Sequence, residues 1–275
     1  MAGTSPQAVL RFENVSVSFG DELALNDVSF AMYEAETRVI FGAAGSGKTV
    51  LLKTALGLVK PDRGRVLVFG QDISHMSEEQ LYEVRSKIGM AFQESALFDS
   101  LTIEENVAYP LLNQPSIHCP PDEVRPRVEE ALKFVELGHT LEKFPSELSG
   151  GMRRRAAIAR AVVTDPPLLL YDSPTAGLDP ITAYTIIALL IKERDLEDTA
   201  SMVVTHRYQD GHLLANFRYN SDSGEIEPAR DHGRKSDVGT TFMVLREGRL
   251  IFEGGQSELE SSQDPYIASF VKRPE

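Results

Sequence analysis

Apolar positions recur with two periods along this chain. Short runs that alternate, or are wholly apolar, take turns with longer stretches of helical spacing. Residues 9–17 alternate around Leu10, Phe12, Val15 and Val17 and predict a strand, and residues 28–32 predict another. Residues 37–41 read as a buried strand entering a glycine-rich turn, continued by a helix over 50–57. A turn at Pro61-Asp62-Arg63-Gly64 precedes a strand over 65–69. Residues 77–87 predict a helix opened by a capping box, Ser77 with Gln80, and a hydrophobic staple, Met76 with Leu81. Strands are predicted over 88–92, 168–171 and 201–204, and helices over 122–137, 152–163, 181–193 and after His206. Residues 241–245 and 249–252 read as a closing hairpin around Glu247-Gly248. Strands alternating with helices predict an α/β fold with a largely parallel sheet. There is no internal repeat. Residues 218–238 break the pattern: polar, mixed in charge and poor in large apolar side chains, they read as an exposed loop or disordered insertion.

Composition narrows the class. The 275 residues are 42% hydrophobic and 25% charged, which fits a globular domain and excludes disorder, collagen and coiled-coil fibre as the main theme. The net charge of −13 is the wrong sign for sequence-independent nucleic-acid binding, so no nucleic-acid partner is expected. A single cysteine, Cys119, cannot form an internal disulfide or a cysteine zinc site, and points to a reducing compartment. Residues 1–7 lack a basic segment followed by an apolar one, so no secretory leader is expected. No apolar run approaches the ~18 residues of a membrane span.

Gly42-Ala43-Ala44-Gly45-Ser46-Gly47-Lys48-Thr49 fits the phosphate-loop pattern, with a strand before it and a helix after it. Glycines let backbone N–H groups turn inward around a phosphate, and the following helix adds its N-terminal dipole. Lys48 is suited to the β- and γ-phosphates and the Thr49 hydroxyl to Mg²⁺. Three polar residues end predicted strands: Gln93, Asp172 and His206. Ligands of open α/β sheets gather at those ends. Ser149 opens a further helix, so its hydroxyl and the N–H groups of Gly150 and Gly151 form a second anion site.

Leu148-Ser149-Gly150-Gly151-Met152 is similar to the signature of ATP-binding-cassette (ABC) ATPases, and Asp172 to Pro180 resembles their Walker B strand running into the D-loop. In that resemblance Gln93 matches the Q-loop, His206 the switch histidine, and Phe19 the aromatic under the adenine, a core role for Phe19 being the alternative. It extends over about residues 8–272. It implies an ABC-type P-loop NTPase fold as a single domain over 1–275, with a mostly parallel core, an antiparallel β subdomain, a helical signature subdomain over about 94–165 and the insertion at 218–238. It implies ATP and Mg²⁺ as cofactors, the metal on Thr49, Gln93 and Asp172. It also implies a head-to-tail dimer in which Ser149, Gly150, Gly151 and Asp179 of one chain face the nucleotide of the other. The Met152-Arg153-Arg154-Arg155 run and the stretches 92–102 and 105–111 resemble the ATPase of Mla-type (maintenance of lipid asymmetry, MCE-associated) phospholipid transporters. The arginines read equally as a solvated helix face. The implied partners are integral membrane permease subunits, a second identical chain and an MCE-domain substrate-binding protein. The implied place is the cytoplasmic side of the cell membrane. Phe98, Leu101 and Tyr109 are candidate contacts with the permease, or plain core residues.

One position departs from the family. Ser173 stands where the family carries the glutamate that orients the attacking water. A hydroxyl holds a water but is a poor proton acceptor, and a lost general base costs on the order of 10²–10⁴ in rate. Binding and dimer closure are expected to survive and hydrolysis to be slow, with His206 as a partial substitute. Two other readings stand beside a transport ATPase: a hydrolysis-poor regulatory subunit, and an ABC ATPase acting on DNA, ribosomes or iron–sulfur assembly. The acidic charge and the single cysteine weigh against the last.

Overall fold

The computed structural model describes residues 8–229 and 239–271. Residues 1–7, where no leader was expected, and 230–238 of the polar insertion lie outside the described residues. Strand β1 (Leu10–Phe19) turns back through Gly20 into β2 (Glu22–Met32), an antiparallel pair longer than the alternation alone predicts. β3 (Thr37–Phe41) is buried along its whole length and leads through the glycine-rich loop into helix α1 (Lys48–Ala55). β4 (Arg63–Val68) and the short β5 (Gln71–Asp72) follow. α2 (Glu78–Arg85) starts on the predicted box: the Ser77 hydroxyl accepts from the Gln80 N–H while the Gln80 side chain accepts from the Ser77 N–H. β6 (Ile88–Ala91) closes this half.

Three helices come next: α3 (Ile103–Asn113), α4 (Pro121–Phe134) and α5 (Gly150–Val162). α3 was not predicted, although Thr102 and Glu105 form a second reciprocal capping box at its start. Then come β7 (Leu168–Asp172), α6 (Pro180–Glu197), β8 (Ala200–Val204) and α7 (Tyr208–Asn216). The chain ends with β9 (Phe217–Asn220), β10 (Glu225–Pro228), β11 (Thr240–Arg246), β12 (Arg249–Gly254), α8 (Gln256–Glu260) and α9 (Pro265–Val271).

The central sheet has the order β12-β11-β3-β8-β7-β6 and is parallel except for β12. A second, antiparallel sheet has the order β2-β1-β4-β5. Both faces of the central sheet are covered, which explains why its strands are continuous apolar runs rather than alternating ones. Leu168, Leu170, Met202, Val204, Met243 and Leu245 face a core shared with the antiparallel sheet and with Leu51 and Leu52 of α1. Their neighbours Leu169, Tyr171, Val203, Phe242 and Val244 face the opposite core, with the helices α3 to α6. Strand-period alternation thus sends successive residues into different cores.

The first part of the polar insertion is not a loop. β9 and β10 pair antiparallel, with Arg218 opposite Glu227 and Tyr219 opposite Ile226. Ile226 is buried in the core with Phe217 and Tyr219 packed beside it, and polar anchoring adds to these few apolar contacts. Asp195 of α6 accepts from the Tyr219 N–H at 2.8 Å and from Arg218 at 2.8 Å. Arg194, almost fully buried, pairs with Asp195 at 2.7 Å and donates to the carbonyls of Leu214 and Phe217 at 2.6 and 2.8 Å. These contacts link residues distant in sequence and leave no local periodicity to read.

Candidate functional site

The glycine-rich loop is shaped by what surrounds it. A Cβ on Gly42 would stand 2.4 Å from Ser46 Oγ and 2.7 Å from the Leu245 carbonyl, so only glycine fits. Gly47 has φ +102° and a Cβ there would lie 2.4 Å from the Ala24 carbonyl. Gly47 is also the N-cap of α1, with no side-chain cap and no acidic residue in the first turn. The N–H groups at that helix start are left for an anion. Lys48 Nζ donates to the carbonyls of Gly42 and Ala43 at 2.8 and 2.7 Å and to Ser46 Oγ at 3.3 Å. Burial holds the Lys48 ammonium below the usual lysine range, against the pull of the Asp172 charge.

Asp172 ends β7 and is buried. Its Oδ2 accepts from the Thr49 hydroxyl at 3.0 Å and its Oδ1 from the Ser173 hydroxyl at 3.3 Å. Ser173 has φ +51°; its N–H donates to the Val204 carbonyl at 2.9 Å. Arg154 of α5 donates to the carbonyls of Ser173 and Ala176 at 2.9 and 3.1 Å, clasping the turn after β7. A buried carboxylate, Asp210, accepts from Thr175 at 2.5 Å and Thr205 at 2.6 Å, and so joins that turn to the one carrying His206. Burial raises the Asp210 carboxyl while those two hydroxyls oppose the rise.

These elements enclose a cavity of about 540 Å³. Gly42, Ala44 to Thr49, Gln93, Asp172, Ser173, His206 and Phe19 all line it. Phe19 is 55% exposed, so its core alternative does not hold. Ala43 does not line the cavity: its N–H donates to Tyr266 at 2.9 Å. Sequence reasoning missed Glu22 and Ala24, which line the cavity from β2, and Arg154, whose place in an arginine run hid it. The solvated-face reading of that run holds only for Arg153, which is exposed while donating to the Leu148 carbonyl; Arg154 and Arg155 are half-buried, Arg155 donating to the Val135 carbonyl.

Ser149, Gly150, Gly151 and Asp179 are not part of this cavity. Ser149 caps α5, its hydroxyl accepting from the Met152 N–H at 3.3 Å, and the first turn carries no acid. A Cβ on Gly150 would meet open space, while one on Gly151 would lie 2.5 Å from Thr182 of α6. Asp179 caps α6, accepting from the N–H groups of Ile181 and Thr182 and from the Thr182 hydroxyl. A separate groove of about 340 Å³ is lined by Phe92, Phe98, Tyr109, Pro110 and Arg160. There Phe98 and Tyr109 are exposed and their ring centroids are 4.6 Å apart. Buried Asn106 pins Phe98 through both its N–H and its carbonyl, at 2.7 and 3.0 Å. Leu101 does not line the groove.

The donor set fits Mg²⁺ delivered with a nucleotide. Thr49 hydroxyl, Asp172 carboxylate and Gln93 amide supply hard oxygens, and no cluster of three His, Cys, Asp or Glu occurs among the described residues. Mg²⁺ characteristically takes one or two carboxylates plus substrate phosphates rather than an all-protein cage.

A parallel sheet, a strand–glycine loop–helix unit, and a carboxylate bonded to the loop's threonine define a P-loop nucleotide hydrolase. The comparisons refine this. The ABC transporter family model matches residues 25–176. Similar relatives include the intermembrane phospholipid transport system ATP-binding protein MlaF of Haemophilus influenzae, 32% identical over 97% of this chain and 91% of that protein. Another is the probable ribonucleotide transport ATP-binding protein mkl of Mycobacterium leprae, 38% identical over 74% of this chain and 58% of that protein. Among solved structures, the dimeric post-hydrolysis state of the ATP-binding cassette MJ0796 bound to ADP and Pi matches with a TM-score of 0.73 at 30% identity, over 89% of this chain and 97% of that one. The chain belongs to the ABC transporter family, as an ATP-binding ATPase subunit. No helix among the described residues is long and apolar enough to cross a membrane.

Proposed function

We propose that this chain is the ATP-driven subunit of a phospholipid transporter. Two copies close head-to-tail on ATP and drive separately encoded permease chains from the inner face of the membrane. The observation that carries this reading is a division of labour within one chain. The cavity unites Gly42 and Ala44 to Thr49 with Gln93, Asp172 and His206, while a second helix start, capped by Ser149 and free of acid in its first turn, lies outside it. A second chain gives that outlying helix start an anion to bind. The exposed Phe98–Tyr109 groove suits an apolar segment of the permease. An MCE-domain protein is the matching substrate-binding partner.

Within the site, loop N–H groups and the α1 N-terminus hold the phosphates, and Lys48 Nζ is already poised on the loop oxygens beside them. Thr49, Asp172 and Gln93 would hold Mg²⁺, which would supply charge neutralisation at the phosphates. Gln93 and His206 orient the attacking water. Ser173 Oγ holds a water poorly primed for attack, because its proton has no strong acceptor on the same side chain. Ser173 also favours a second reading, a regulatory subunit that binds ATP and turns it over little.

The test is reconstitution. Copurified with its permease and placed in proteoliposomes, the chain should transfer a fluorescent phospholipid on MgATP and fail to move a labelled ribonucleotide. Lys48→Ala should abolish transfer and ATP-dependent dimerisation. Ribonucleotide uptake without lipid transfer, or dimerisation unaffected by Lys48→Ala, refutes the proposal.

A further inference from the structure

The back of the phosphate loop is held by the far end of the chain. Tyr266, in α9, accepts at its hydroxyl from the Ala43 N–H at 2.9 Å and donates to the Leu245 carbonyl at 3.0 Å. The ring is fixed on several sides. Arg246 lies over it at 5.5 Å, Phe270 meets it edge-on at 5.2 Å, and the Tyr266 N–H donates to Asp264 at 2.7 Å. Phe270 in turn stacks on Phe41, the residue before Gly42, at 5.9 Å.

The Ala43 N–H and the Gly42 carbonyl belong to one peptide unit. That carbonyl is an acceptor for Lys48 Nζ at 2.8 Å. A peptide unit is planar, so fixing its N–H sets the direction of its C=O. The tyrosine hydroxyl and the lysine ammonium therefore grip opposite ends of the same plate. The Ala43 carbonyl, one unit further on, also accepts from Lys48 at 2.7 Å.

We propose that Tyr266 is a positioning residue for the phosphate loop: through the Gly42–Ala43 peptide it sets where Lys48 stands before the β- and γ-phosphates arrive. The C-terminal helix is then part of the nucleotide site, although none of its residues lines the cavity. This inference rests on the nucleotide reading above.

Tyr266→Phe removes the hydroxyl and keeps the ring. Affinities are measured with two fluorescent probes, TNP-ATP and TNP-AMP, at 25 °C. The parent chain must bind TNP-ATP and Lys48→Ala must lose most of that affinity; failure here refutes the nucleotide reading itself. With that established, Tyr266→Phe should weaken TNP-ATP by about threefold to tenfold, the worth of one hydrogen bond. TNP-AMP, which lacks the phosphates Lys48 serves, should shift by less than about twofold. Tyr208→Phe is the control. Tyr208 bonds to Glu260 and Gln256 of α8, so this variant loosens the C-terminal docking without touching the loop. It should leave both affinities unchanged. Unaltered TNP-ATP binding by Tyr266→Phe overturns the proposal. So does an equal loss for both probes, or an equal loss in Tyr208→Phe, since each marks general loosening in place of loop positioning.

Discussion

A glutamate at position 173 would place a proton acceptor beside Asp172 without asking the backbone to move. Ser173 already sits at φ +51°, where an unbranched side chain such as glutamate meets a penalty close to that of serine. Its N–H is held by Val204 and its carbonyl by Arg154, each at 2.9 Å. The substitution loses the hydroxyl bond to Asp172 Oδ1, a long one at 3.3 Å, at a cost of about 1 kcal/mol. It also sets a second carboxylate next to Asp172. Against this, a positioned general base is worth on the order of 10²–10⁴ in rate, about 3–5 kcal/mol of barrier. The gain exceeds the cost. Steady-state phosphate release at saturating MgATP should therefore rise at least about a hundredfold in Ser173→Glu, with KM little changed. Ser173→Gln has the same length without a base and should stay near the parental rate. A parent that already matches Ser173→Glu refutes the argument that the base is missing. A Ser173→Gln as fast as Ser173→Glu shows that size, not proton acceptance, was limiting.

Two further predictions concern stability. Glu193 of α6 is buried, and burial, followed by the charges of Glu197 and Asp165, pushes its carboxyl up to about 7, with Lys192 opposing; it also faces the buried Tyr171 hydroxyl, which has no hydrogen-bond partner. The folded state then holds a proton that the unfolded chain releases near 4.5, so this group's contribution falls as pH rises from about 4.5 to 7 and is level above. The full span corresponds to about 3 kcal/mol, of which about 2.5 kcal/mol falls between pH 5 and 8; Glu193→Gln should be less pH-dependent than the parent by that smaller amount in urea melts at those two values, and parallel curves refute it. Asp195→Ala should cost about 3 kcal/mol and lower Tm by roughly 6–12 °C, because it strips the counter-charge from buried Arg194 and unties the β9–β10 hairpin. Nucleotide affinity should be unaffected, and a Tm within about 2 °C of the parent would show that the hairpin is held by other contacts.

What could be read from the chain was whatever a short stretch encodes. The phosphate loop, the capping box at Ser77 and the wholly apolar strands each carry their signal within about ten residues. The box at Thr102 and Glu105 was equally legible and marks a helix that periodicity alone passed over, since its Pro110 interrupts the pattern. Contacts that close over long separations were not legible. Tyr266 meets Ala43 across 223 positions, and Arg154 meets Ser173 by a carbonyl that any residue would present. The hairpin at 217–228 looked structureless because its apolar contacts are few, Phe217, Tyr219 and Ile226, and its polar anchor is Asp195 of α6. The motif set was legible for the first reason. Gln93, Asp172 and His206 read as strand ends on the edge that carries the phosphate loop, and Ser149 as a separate helix start; the structure gathers the first three into one cavity and leaves the fourth outside it. That partition follows from where β6, β7 and β8 end relative to the start of α5. The first turn of α5 carries no acid and Ser149 takes the Met152 N–H, so in the proposed dimer the N–H groups of Gly150 and Gly151 are left for an anion that the cavity on the same chain does not supply.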